Sequence, residues 1–184
     1  MDIHLNLDHY QPLIDDERAN CGPTVLAALL GVSASAAIKD MHEYYNKGWN
    51  GYSNIGHIRA ALEAHGIQML KADYDEVVFV DHEKPTLAFI NLEGPWTEKG
   101  WKSQYHHTHW ALLHEKMVMD VNNLAMLSGA EDEIKVPWVD YASWDLTIMP
   151  GLVKNEEHCT GWGFRGFYEI EEPEGINFMM DGGI

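Results

Sequence analysis

The chain has 184 residues, of which 46% are hydrophobic, so it is long enough and apolar enough to bury a core and is not an intrinsically disordered polymer. Its formal net charge of −17, with no basic run, repels phosphate backbones and anionic lipid surfaces; nucleic acid and membrane are both excluded as expected partners. The first residues carry no basic stretch followed by an apolar one, and the most apolar run, Thr24 to Val32, is far shorter than the roughly 20 residues of a membrane span. No secretory segment is expected, and Cys21 and Cys159, the two cysteines, are expected to be free thiols in a reducing, cytoplasmic compartment.

In chain order, the first predicted helix runs from Cys21 to Leu30. Asn20 is suited to cap it, Pro23 fits its first turn, Val25, Leu26, Leu29 and Leu30 recur at helical spacing, and Gly31 ends it. A second helix is expected over Ala34 to Tyr45 with Ser33 as cap, and a third over Ile55 to His65 closed by Gly66, with a glycine- and tryptophan-containing loop from Gly48 to Ser53 between them. Beyond Gly66 the pattern changes to short β-branched or apolar runs. Strands are expected at Gln68–Leu70, Val77–Val80 and Thr86–Leu92, followed by a long loop from Glu93 to His107. His109–His114 and Met117–Asn122 are expected to form a hairpin with its turn at Glu115 and Lys116. Ala130–Ile134 is expected as an acidic loop, Pro137–Trp144 as one short helix and Gly163–Ile170 as the last strand. An acidic tail runs from Glu171 to Ile184. Helices first and an antiparallel sheet afterwards is an α+β plan, expected to be a single domain over residues 1–184.

Two readings fit Cys21. One is a small buried core residue, the commonest fate of a free cysteine. The other is a nucleophile. An ordinary thiol has a pKa of about 8.5, and the unpaired N–H groups and dipole at a helix N-terminus favour its anion and can also bind an oxyanion. A nucleophilic thiol needs a base, and His109, at the start of an apolar strand, is the candidate. The hairpin register sets His109 opposite Asn122 with Asp120 as its diagonal neighbour on the same face. Asp120 is the preferred residue to orient the imidazole, and Asn122 is the alternative.

The run Asn20-Cys21-Gly22-Pro23-Thr24-Val25-Leu26-Ala27-Ala28-Leu29-Leu30-Gly31 resembles the nucleophile helix of papain-like cysteine peptidases, most of all the branch that includes the bacteriocin-leader peptidases. His109-Trp110-Ala111-Leu112-Leu113 and Met117-Val118-Met119-Asp120 are similar to that branch's histidine strand and acidic third member. Small phage-encoded proteins share a similar Asn-Cys-Gly-Pro and His-Trp, which would make the compartment a host cytoplasm or a virion. The two motifs, within residues 20–31 and 109–120, cover about an eighth of the chain. The resemblance implies a papain-like fold, a Cys21–His109–Asp120 triad without cofactor or metal, and hydrolysis of a peptide, isopeptide or other amide through a thioester, with a peptide or protein as substrate. An acyltransferase would use the same residues, and an inactive binding or virion module would keep the fold alone. The family usually carries a glutamine five or six residues before the nucleophile to help bind the oxyanion. Here those positions are Asp16 and Asp15, so Gln11 or Asn20 is left as the candidate oxyanion helper.

His106, His107, His109 and His114 crowd one segment, but no zinc-ligand spacing accompanies them, and a metal-dependent hydrolase is the weaker alternative. Trp96, Trp101 and Trp110 either wall a cleft or close one end of the core. Asp15, Asp16 and Glu17 would favour a basic substrate if they face one. Cys159, in a loop-like context, is read as incidental.

Overall fold

Helix α1, Cys21–Leu30, is apolar on all sides, and every residue from Gly22 to Leu29 is buried, as expected for a helix enclosed in a core. In the computed structural model, residues 21–45, 48–73, 84–99, 107–121 and 138–171 are described. Pro23 costs α1 nothing, because first-turn N–H groups have no intrahelical acceptor. Gly31 takes a left-handed φ of 63° and turns the chain into α2, Ala34–Tyr44. The Ser33 hydroxyl caps α2 by accepting from Ala36 N–H at 3.1 Å, and Ala34, Ala37 and Met41 form its buried face.

Helix α3, Ile55–Ala64, begins with a reciprocal cap. Asn54 Oδ1 accepts from His57 N–H at 2.9 Å, and His57 Nδ1 accepts from Asn54 N–H at 3.2 Å. The same ring donates from Nε2 to the Gly48 carbonyl at 2.8 Å, so His57 ties the 48–54 strap to the helix. Burial lowers the pKa of His57, partly opposed by the Gly48 carbonyl, and the neutral ring is the form that can accept at one nitrogen while donating at the other.

Among the described residues there are six strands: β1 Gln68–Ala72, β2 Thr86–Glu93, β3 Thr108–His114, β4 Met117–Met119, β5 Trp138–Asp140 and β6 Gly161–Glu171. They form one antiparallel sheet in the order β1-β6-β2-β3-β4-β5. Both faces are covered. Leu87, Phe89, Trp110, Leu112, Met119 and Tyr168 pack with the three helices. Ala88, Ile90, Leu92, Ala111, Leu113 and Val118 pack with Trp144, Ile148 and Met149. That double burial explains why β2 and β3 read as continuous apolar runs rather than alternating ones.

The architecture is α+β, with helices packed on an antiparallel sheet. The hairpin turn lies at Glu115 and Lys116, with φ of 49° and 66°, and pairs His114 with Met117 as its spacing requires. Three expectations are corrected. Strand β4 ends at Met119 rather than Asn122, so Asp120 lies just beyond the ladder. Pro137–Trp144 is not one helix: Trp138–Asp140 is strand β5, because Val139 pairs with Val118 and Trp138 with Met119. Helical structure starts only at Tyr141 and continues to Asn155, where none was expected beyond Trp144.

That helical segment comprises α4, Tyr141–Ser143, a π-helical turn, Trp144–Ile148, and α5, Met149–Asn155. The π turn is closed by Met149 N–H donating to the Trp144 carbonyl. Pro150 follows at once; proline has no N–H to give and its ring crowds the carbonyl one turn back, and the wider turn relieves both problems. The expected strand at Val77–Val80, the acidic loop and the tail beyond Glu171 lie outside the described residues. Among the described residues no single helix is long and apolar enough to cross a membrane.

The strap sits directly on the start of α1. A Cβ at Gly22 would collide with the Cβ and Oγ of Ser53. Ser53 cannot withdraw easily, since its carbonyl accepts from Trp110 Nε1 at 2.9 Å and its hydroxyl from Trp49 Nε1 at 3.0 Å. Gly22→Ala is therefore expected to destabilise the fold by about 1–3 kcal/mol in urea unfolding; a loss below about 0.5 kcal/mol would mean that the strap yields.

Candidate functional site

His109 is the second residue of β3, paired across the ladder with Ile90, and is 5% exposed. Its Nε2 lies 2.7 Å from Oδ2 of Asp120, a residue with no solvent exposure. The Cys21 side chain lies close enough to the imidazole to act on it by hydrogen bonding and by charge. Cys21 is the first residue of α1, half-buried and free.

The electrostatics of this group follow from its seclusion. Burial alone would lower the pKa of His109. The charge of Asp120 and its hydrogen bond outweigh that penalty, the hydrogen bond and charge of Cys21 add to them, and the pKa rises from 6.5 to about 10. His109 is thus held as an imidazolium across the neutral range, donating from Nε2 to Asp120.

The three residues come from two layers. Strand alternation puts His109 on the face of Ala111 and Leu113, and Asp120 turns to that same side, where Trp144 lies. Cys21 belongs to the helical layer and packs against the cluster on the other face. The site therefore lies on the seam between the helices and the C-terminal half of the molecule.

Other sequence candidates are placed elsewhere. Gln11, Asn20 and Asn122 lie outside the described residues, as do Asp15, Asp16, Glu17, His106 and Trp101. Trp96 and Trp110 do not form one cluster about His109. Trp110 is in the helix-facing core with its N–H on the Ser53 carbonyl, whereas Trp96 is in the opposite core, donates to the Leu92 carbonyl at 2.7 Å and stacks on His107. The histidines also go separate ways. His107 pairs with Glu156 at 3.0 Å, and His114 approaches Glu115 at 3.8 Å. Among the described residues no three potential ligands converge as a metal site. The Cys159 thiol donates to the Gly161 carbonyl at 3.2 Å.

Sequence reading missed Trp144. It is fully buried, and its indole N–H donates to Asp120 Oδ2 at 2.8 Å, the same oxygen that His109 engages. A tryptophan N–H in a core usually finds an acceptor, but nothing in the local sequence says which. No family model matches the chain, and no curated protein matches it significantly.

The raised pKa has a consequence for stability. A group whose folded pKa of about 10 exceeds its unfolded value of 6.5 contributes stability that is complete below pH 6.5 and is lost as pH rises toward 10. The difference in urea-unfolding free energy between the wild type and His109→Asn is expected to shrink steadily from pH 6.5 to 10. A difference independent of pH over that window would show that the imidazole is not charged in the folded state.

Proposed function

We propose that the chain is a thiol-dependent hydrolase of papain-like type, acting on a peptide, isopeptide or related amide. The observation that carries this reading is one buried imidazole that holds the Asp120 carboxylate at 2.7 Å and lies within interaction range of the Cys21 side chain. The thiolate is the nucleophilic form of a cysteine, and an imidazole within reach of it can carry the proton through the cycle.

In this mechanism the Cys21 thiolate attacks the amide carbonyl carbon and forms a C–S bond, and the carbonyl π electrons move onto oxygen. The Cys21 backbone N–H, in the first turn of α1 with no intrahelical acceptor, faces the developing oxyanion. As the tetrahedral intermediate collapses, His109 gives its Nδ1 proton to the leaving nitrogen, the C–N bond breaks and a thioester remains. Neutral His109 then takes a proton from water, whose oxygen attacks the thioester; collapse releases the acid and restores thiolate and imidazolium. Asp120 remains ionised throughout and keeps Nε2–H on its own side of the ring. An amine in place of water would turn the same acyl-enzyme to acyl transfer.

The test is alkylation by iodoacetamide between pH 5 and 9, read separately at Cys21 and Cys159 by peptide mass spectrometry. Cys21 is expected to react readily at pH 6, at least about tenfold faster than in His109→Ala, while Cys159 does not. Cys21 titrating near pH 8.5 in the wild type, as an ordinary thiol does, would overturn the hydrolase reading and leave a binding module. After a positive result, peptide and isopeptide libraries would identify the substrate, with Cys21→Ser as the inactive control.

A further inference from the structure

We infer that Trp144 is a positioning residue of this site, whose indole N–H fixes the Asp120 oxygen that holds His109. The inference rests on the reading of Cys21, His109 and Asp120 as catalytic machinery, and it starts from a coincidence of acceptors. Trp144 Nε1 lies 2.8 Å and His109 Nε2 2.7 Å from one and the same carboxylate oxygen, Oδ2.

That shared acceptor does what the aspartate alone does not. The terminal torsion of an aspartate is soft and nearly two-fold, so each donor fixed on one oxygen raises the penalty for exchanging the two. Once a second donor is fixed on Oδ2, turning the carboxylate breaks two charge-assisted bonds at once. The second donor is also constant. An indole N–H carries its proton at every pH the protein meets, so it holds the carboxylate whether His109 is charged or neutral during the cycle.

Trp144 is itself held on three sides. Trp162 meets it edge-on at 5.4 Å between ring centroids, Phe164 stacks on it at 6.2 Å, and Tyr141 lies at 5.7 Å. Its backbone opens the π turn, and its carbonyl accepts the bond from Met149 that closes that turn. Isolated π turns occur often at functional sites, and Trp144, whose side chain reaches Asp120, is the residue that opens this one.

Trp144→Phe keeps a ring among these aromatics and removes only the donor. The folded variant is expected to lose about tenfold or more of the Cys21 alkylation rate at pH 6, with the pH profile displaced toward that of an ordinary thiol. A folded Trp144→Phe with the wild-type profile would make Trp144 a core filler and overturn the proposal. A second measurement uses the unaltered chain and does not depend on the variant folding. The indole ¹⁵N–¹H resonance of Trp144, assigned through its contacts with Trp162 and Phe164, is followed with the His109 ring signals in a pH titration. The two are expected to move with one midpoint, because both donors sit on one oxygen. An indole signal indifferent to His109 titration would overturn the proposal. Should wild-type Cys21 prove to be an ordinary thiol, the hydrolase reading fails by itself, and the shared titration still decides whether Trp144 and His109 are coupled through Asp120.

Discussion

A charged pair with almost no access to water is the constraint around which this molecule is arranged. His109 and Asp120 meet at 2.7 Å, one 5% exposed and the other fully buried. Two opposite charges in such a place are tolerated only with close geometry and further hydrogen bonds, because each has given up its hydration. The surrounding fold meets both conditions. The hairpin turn at Glu115 and Lys116 sets the register that brings Asp120 back to the level of His109, and Trp144 adds a second donor to the carboxylate. Losing either charge alone would strand the other, which makes the pair an all-or-none unit.

The helical layer solves a separate problem, that of presenting one sulfur atom. Helix α1 is buried along almost its whole length, so its first residue has little freedom to move relative to the sheet. The strap from Gly48 to Asn54 then braces that end. Ser53 abuts Gly22, the Trp110 N–H anchors the strap to β3, the His57 ring ties it to α3, and the Trp49 N–H braces it from within. The Cys-Gly-Pro triplet acquires a physical meaning residue by residue: a sulfur at the first helical position, a missing side chain where the strap crosses, and a ring where no N–H is needed.

Much of this was legible in the sequence where local chemistry dominates. The three helices were readable from their apolar spacing and from Ser33, Gly31 and Gly66, and the hairpin from the two-residue break between apolar runs. The approach of Asp120 to His109 followed from the register alone, although the strand stops one residue before Asp120. What was not legible depends on tertiary partners. Trp138–Asp140 is a strand because β4 offers it an edge, and no pattern within three residues announces that. The π turn needs Pro150 to be weighed together with a tryptophan six residues earlier, and the role of Trp144 needs the position of Asp120. The strap was readable as a loop but not as a brace, since the close approach of Ser53 to Gly22 is invisible until α1 and α3 are packed.

The two clusters of apolar side chains on either face of the sheet have a last consequence. Each face of the sheet has its own interior, and strands β2 and β3 contribute alternate side chains to both. The sulfur is mounted on one and its nitrogen partner on the other, so the distance between them is a matter of alignment, like the gap between two jaws of a vice. Volume changes inside either interior, besides their cost in stability, can shift the seam by a fraction of an ångström and so alter the approach of Cys21 to His109.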